Sequence, residues 1–193
     1  MGLWMTRISG FTIGAGIALW ILSTLPAAAQ WWSSTPTPLA QIEKTVADQH
    51  DDIAHLEPED FAKMQAAGED FILLDVREKR EFDVSHIPGA VQIDPGANAT
   101  DVQALLAEAG ADADTPVVVY CSVGRRSSRL GSRMVDALDG RPVVNLRGGV
   151  FAWHNEARPL ENAAGTTDAV HPYNTKWGKL VERSEGISYD PVD

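Results

Sequence analysis

The sequence predicts an α/β domain built on a central, mainly parallel sheet flanked by helices. Three short apolar runs read as buried strands: Phe71-Ile72-Leu73-Leu74-Asp75, Pro116-Val117-Val118-Val119-Tyr120 and Val143-Val144-Asn145-Leu146. Between them lie stretches whose apolar residues recur at helical spacing, and strands that alternate with helices over such short intervals pair in parallel. A strand covered on both faces shows a continuous apolar run rather than an alternating one, as these do.

Residues 1–29 stand apart from that pattern. Arg7 is the only charged residue before Glu43; Ile8 to Leu25 is uncharged and mostly apolar, and Pro26-Ala27-Ala28-Ala29-Gln30 follows. A basic start, an apolar stretch and small residues before a cleavage point describe an export signal cut between Ala29 and Gln30, with a periplasmic or secreted product. The alternative is an uncleaved membrane anchor, since the run is long enough to span a bilayer and carries a Gly10–Gly14 GxxxG spacing. Residues 30–53 read as a linker. Trp31 to Pro38 breaks regular structure, and a polar, acidic stretch with room for a short helix over Ala40 to Asp48 leads to Asp52.

The domain is expected over 54–160. Glu59 to Ala66 reads as a helix opened by Pro58, with Phe61 and Met64 inward. Strands follow at Phe71 to Asp75 and at Ala90 to Ile93. Asp101 to Ala109 is helical, with Val102, Leu105, Leu106 and Ala109 at core spacing. Pro116 to Tyr120 is the strongest strand. Arg126 to Leu138 sets Leu130, Met134, Val135 and Leu138 on one helical face. Val143 to Leu146 is a further strand, and Gly148 to Asn155 a short helix. Residues 161–193 form a less regular tail. Ala163 to Thr167 reads as a loop, while His171-Pro172-Tyr173-Asn174 and Trp177-Gly178 suggest a segment that packs on the domain.

The 193 residues suffice for one domain with its own core. A formal charge of −11 argues against nucleic acid as a partner. The five His residues share no metal-ligand spacing, and one cysteine cannot build a thiolate zinc cage, so neither metal nor cofactor is expected. An exported protein would more usually carry paired cysteines. A single thiol there must be buried or used, and its position decides which.

That cysteine lies in Tyr120-Cys121-Ser122-Val123-Gly124-Arg125-Arg126-Ser127, between the strongest strand and a helix. At such an address it meets the unpaired N–H groups and positive dipole end of the helix start, and both stabilise an anionic sulfur. Gly124 lets the amides converge into an anion nest, and Arg125 and Arg126 add positive charge at the rim. The bland reading is a small apolar residue that ends a strand. The loop and the helix start favour nucleophilic catalysis instead. Cysteine phosphatases place an Arg six residues after the Cys, where this chain has Ser127. The shorter loop ending at Arg126 suits a sulfur atom better than a tetrahedral phosphoryl group.

Three stretches together resemble the rhodanese homology domain. One is Leu74-Asp75-Val76-Arg77-Glu78 with Glu81-Phe82 and Ser85-His86-Ile87-Pro88-Gly89-Ala90. The second is Val118 to Ser127, similar to the family's YCxxGxRS active loop. The third is Leu146-Arg147-Gly148-Gly149 with Ala152-Trp153. The likeness covers about 55–160. It implies a small rhodanese fold and a two-step cycle. Cys121 takes sulfur from a donor such as thiosulfate to form a persulfide, then passes it to cyanide or a thiol. The implied binding residues are Ser122, Val123, Gly124, Arg125 and Arg126, with Asp75 and Arg77 at the carboxyl end of a neighbouring strand. The chain departs from the pattern at Ser122, where many members carry Arg, at Ser85 in place of Gly, and at Asn155 and Glu156, where a Gly is common.

Several residues carry a second reading. Asp75 and Arg77 could equally form a structural ion pair. His86 reads as structural before its Ile-Pro-Gly turn, and Trp153 as a core residue. Arg129 and Arg133 read as solvated helix surface. Tyr173 and Trp177 would either shield the site or dock the tail. The expected partners are therefore a small-molecule sulfur donor and a thiol or cyanide acceptor. A membrane enters only if the first segment stays uncleaved. The rival function is a sulfur-carrying or protein-binding module without turnover, docked through the acidic surface or tail.

Overall fold

A computed structural model of the protein describes residues 38–191, so the export or anchor segment over 1–29 lies outside the described residues. The stretch read as linker carries helix α1 (Pro38–Gln49), and its Leu39 and Val46 are buried. Leu39 joins the cluster around Phe61 and Trp153, so this helix is part of the folded unit. A sequence window this polar hides two inward residues two helical turns apart.

The order continues β1 (Ala54–Leu56), α2 (Pro58–Ala67), β2 (Ile72–Asp75), α3 (Lys79–Val84), β3 (Val91–Gln92), α4 (Ala99–Glu108) and β4 (Val117–Tyr120). Then come α5 (Arg125–Val135), β5 (Val143–Leu146), α6 (Gly149–Asn155), β6 (Leu160–Asn162) and β7 (Gly165–Thr167). Pro58 opens α2 as expected, and Gly68 in the left-handed region closes it. The helix expected from Asp101 starts earlier. Asn98 caps it by accepting from the Thr100 and Asp101 amides at 2.8 and 3.2 Å, and the Asp101 carboxylate returns a bond to Asn98 N–H at 2.8 Å.

The five strands β1-β5-β4-β2-β3, in that spatial order, form one parallel sheet. Its central strand β4 is buried along its whole length, and successive side chains feed opposite sides. Val118 and Tyr120 meet Phe61, Phe151 and Trp153; Val117 and Val119 meet Val102, Leu130 and Met134. Trp153 fills the first layer, and its indole N–H donates to Pro159 O at 2.8 Å, so the one polar atom of a buried ring is satisfied.

The tail is more ordered than the sequence suggests. Where a loop was expected at 163–167, β6 and β7 form an antiparallel hairpin. The pairing supplies what three-residue strands cannot signal alone. His86 and Glu161 exchange backbone bonds at 2.8 and 2.9 Å, which ties the hairpin to the turn after α3. The His86 ring stacks on Phe82 at 3.8 Å, a structural placement. Beyond the hairpin Val170 and Val181 are buried against the first layer, and 3₁₀ turns form at Trp177–Leu180 and Ser184–Gly186.

Candidate active site

From β4 the chain proceeds to β5, and from β2 to β3, on opposite sides of the sheet. The carboxyl ends of β4 and β2 therefore flank a crevice where the winding reverses, the usual place for a ligand in an open parallel sheet. Cys121 follows β4 directly, Asp75 ends β2, and Arg77 lies just beyond it.

The loop after Cys121 curls into α5. Gly124 caps the helix with φ 88°, in the left-handed region. A side chain there would also crowd Asn145, whose Nδ2 would lie 3.1 Å from the added carbon. The first helical bond runs from Ser128 N–H to Gly124 O at 3.0 Å, so the preceding loop amides find no acceptor among the described residues. The loop carbonyls are turned the other way. Cys121 O accepts from Val150 N–H at 2.9 Å and Ser122 O from Phe151 N–H at 3.1 Å, both at the start of α6. Gly149, at φ 56°, permits that approach, because a Cβ on it would fall 2.1 Å from Cys121 O. Carbonyls held by α6 and amides left open toward the crevice make an anion cradle around the cysteine. Below it, Ser127 Oγ donates to buried Asn145 Oδ1 at 2.6 Å.

A cavity of about 230 Å³ opens above the loop, lined by Cys121, Ser122, Val123, Arg125 and Arg126, by Arg129 on the next turn of α5, and by Tyr173 and Trp177 of the tail. Of the residues expected at the site, the structure gathers the loop set from 121 to 126. Gly124 shapes the loop without facing the cavity.

Asp75 and Arg77 are not placed to bind a ligand. Both are fully buried and form a forked pair, with Arg77 Nε at 2.9 Å from Oδ1 and Nη2 at 2.6 Å from Oδ2. Arg77 also donates to Ser85 O at 2.6 Å, and its own carbonyl accepts from Gln92 Nε2 at 2.8 Å. The pair thus laces β2, the end of α3 and β3 together beneath the site. Burial works against the Arg77 charge, but Asp75 outweighs it and keeps the guanidinium firmly protonated. The Tyr120 hydroxyl, which accepts from Ile87 N–H at 3.1 Å, has its pKa pushed well up by burial and by Asp75.

Arg126 is held from below. Glu81 of α3, itself buried, accepts from Arg126 Nη1 and Nη2, both at 2.8 Å. Ser122 Oγ donates to Glu81 Oε1 at 3.1 Å and accepts from Arg126 Nη2 at 3.0 Å. Burial raises the Glu81 pKa, yet the bonds and charges of Arg126, with the charge of Arg77, overcome it and leave the carboxyl lower than usual. For Arg126, burial is likewise overcome by Glu81 and by Cys121, and its pKa rises. The Arg126 guanidinium lies 5.1 Å from the Tyr173 ring centre, over its face.

Glu81 and Arg129 were not expected among the site residues; of the two readings of Tyr173 and Trp177, shielding the site or docking the tail, the cavity lining matches the first. The Arg125–Arg129 spacing of one helical turn was the available signal for Arg129, which was read as solvated surface. The aromatic tail residues signalled a docked segment but not its place, because only the folded chain brings them over the loop.

A family model described as a rhodanese-like domain matches residues 57–156. A protein of Allochromatium vinosum named sulfurtransferase is 31% identical over 108 residues, covering 56% of this chain and 94% of that protein. A Pyricularia oryzae protein named adenylyltransferase and sulfurtransferase uba4 is 37% identical over 99 residues, covering 44% of this chain. The match spans only 20% of that longer fungal protein. The solved structure of a thiosulfate sulfurtransferase from Pseudomonas aeruginosa superposes with a TM-score of 0.54 at 22% identity, over 78% of this chain and 27% of that one. That last likeness is one of fold. Tyr173 and Trp177 lie beyond the residues the family model matches.

Proposed function

The chain belongs to the rhodanese-like domain family, and from that membership we propose that it is a sulfurtransferase carrying sulfane sulfur as a persulfide on Cys121. The observation that carries this reading is Cys121 at the start of an open-amide loop, buried yet lining the cavity, and beside a fixed guanidinium. With thiosulfate as donor, the Cys121 sulfur attacks the outer sulfur. The S–S bond of the donor breaks, and sulfite leaves with the electron pair. The anionic persulfide is then stabilised by the loop amides and the α5 dipole. Cyanide or a thiolate attacks the terminal sulfur, takes it away and returns the Cys121 thiolate.

Intact-mass measurement tests the cycle. Incubation with thiosulfate is expected to add about 32 Da, one sulfur, to the nucleophile. Cyanide should remove it, and Cys121→Ser should never gain it. An unchanged mass with Cys121 still open to alkylation would reject thiosulfate loading and favour a carrier or docking role.

The proposal extends to export, supported by the uncharged run from Ile8 to Leu25 and the Ala27-Ala28-Ala29 site. A mature N-terminus at Gln30 is expected. Retention of residues 1–29 would replace cleavage with anchoring.

A further inference from the structure

Three arginines line the cavity, and they differ in availability. Arg126 is committed to Glu81 through two bonds at 2.8 Å. Arg125 and Arg129 are exposed, and among the described residues their guanidinium groups have no hydrogen bond or ion pair. Two unpaired cations stand side by side, one helical turn apart, in a chain of net charge −11. The rings of Tyr173 and Trp177 line the same cavity, with Tyr173 over Arg126.

The tail wall is built and braced. Asn174 Oδ1 accepts the Lys176 and Trp177 amides at 3.0 and 3.1 Å, and Asn155 of α6 grips the tail through Leu180 O at 3.0 Å and Glu182 N–H at 2.9 Å. Tyr173 sits at φ 63°, in the left-handed region that a bulky residue adopts only where its surroundings over-determine it. Its amide donates to His171 Nδ1 at 3.0 Å, which holds that conformation and presents the ring to Arg126. The cavity of about 230 Å³ exceeds what a small inorganic oxyanion needs when the loop amides already receive its charge.

We propose that Arg125, Arg129, Tyr173 and Trp177 form a specificity subsite for the organic half of a sulfur donor: a persulfide or thiosulfonate with a flat or apolar body and a carboxylate distal to its sulfane sulfur. This rests on the sulfurtransferase reading above. The sulfane sulfur reaches Cys121, the body lies between the rings and Val123, and the carboxylate meets the two free guanidinium groups. The transfer balances. The Cys121 thiolate bonds to the terminal sulfur, the donor's S–S bond breaks, and the organic thiolate or sulfinate departs with the electron pair.

The test uses the full chain, cyanide as acceptor, and three donors: methanethiosulfonate, benzenethiosulfonate and 4-carboxybenzenethiosulfonate. The expected order of kcat/KM rises along that series, with the carboxylated donor favoured about tenfold or more over the methyl one, the scale of one charge-assisted contact. Arg129→Ala should collapse the preference for the carboxylate, and Trp177→Ala the preference for the ring. Trp177→Phe should keep most of the ring preference. Variants that lower all three donors in parallel, leaving the ratios unmoved, would overturn the subsite. A second arm titrates unreactive 4-sulfobenzoate into the same proteins. Its binding should weaken about tenfold in Arg129→Ala. Binding that depends on Arg129, with no donor loading Cys121, would uphold the subsite and reject the sulfurtransferase reading. Loading from every donor with equal efficiency and no 4-sulfobenzoate binding would do the reverse.

Discussion

Glu81 connects three parts of the site. It closes the first turn of α3 by accepting from Glu78 N–H at 3.1 Å, anchors Ser122, and neutralises Arg126. Glu81→Gln keeps the shape but leaves a largely buried guanidinium without its counter-charge. A loss of about 1–3 kcal/mol in chemical denaturation at neutral pH is expected, less than for a fully buried pair because Arg126 keeps some solvent contact. The pH dependence has a definite sign. The folded-state pKa of Glu81 is lowered, so its contribution is complete above the ordinary value of 4.5 and fades as pH falls through the depressed value. Glu81→Gln should flatten the stability curve in that acid window. Glu81 was legible as part of a motif, and Arg126 as part of a loop. Their pairing was not, because they are far apart in sequence and nothing local marks one as the partner of the other. For the same reason Asp75 and Arg77 could be read either way until their burial was known.

The decisive contact between elements is the one between the cysteine loop and α6. Gly149→Ala would set a Cβ 2.1 Å from Cys121 O, at a φ of 56°. A backbone oxygen cannot swing aside as a side chain can. The variant is expected to lose about 1–3 kcal/mol in thermal denaturation, with sulfur loading reduced more than folding, because the shift falls on Cys121 itself. Wild-type loading by the purified, folded variant would show that the loop tolerates displacement. The strands β2, β4 and β5 were legible because strands covered on both faces need unbroken apolar runs. Strand β1 was not. It has three residues, and only its parallel pairing with β5 defines it. Helix α3 has six residues, too few for periodicity, and is fixed by its capping box and by Glu81.

At the scale of the molecule, the tail is part of the core. Ending the chain after Asp168 would strip Val170 and Val181, both buried, from the layer around Trp153. The expected cost is about 3 kcal/mol or more, read as a lower urea midpoint. Two histidines make the tail's attachment sensitive to acid. His154 of α6 pairs through Nε2 with Asp168 O at 3.0 Å, and His171 Nδ1 accepts from Tyr173. Burial lowers both pKa values from 6.5. Their contribution is therefore whole above 6.5 and is lost as pH falls through the lower folded values. Protection of the amides in residues 169–187, measured against the intrinsic exchange rate at each pH, should fall from pH 7 to 5 before protection in β4 does. An equal fall in both would mean that the tail does not open separately. That this tail docks was legible from its aromatic and proline-bearing segments. Where it docks was not, since the landing surface comes from α5 and α6.

The origin of the wall bears on the order in which the protein is made. Residues 170–187 leave the ribosome after every strand of the parallel sheet has emerged. Domains fold as units during synthesis, so the sheet and the Cys121 loop have their sequence complete before Tyr173 and Trp177 arrive to close the cavity. Of the residues that line the cavity, Tyr173 and Trp177 are thus the last to be synthesised, so its outer wall is also the last part for which sequence is supplied.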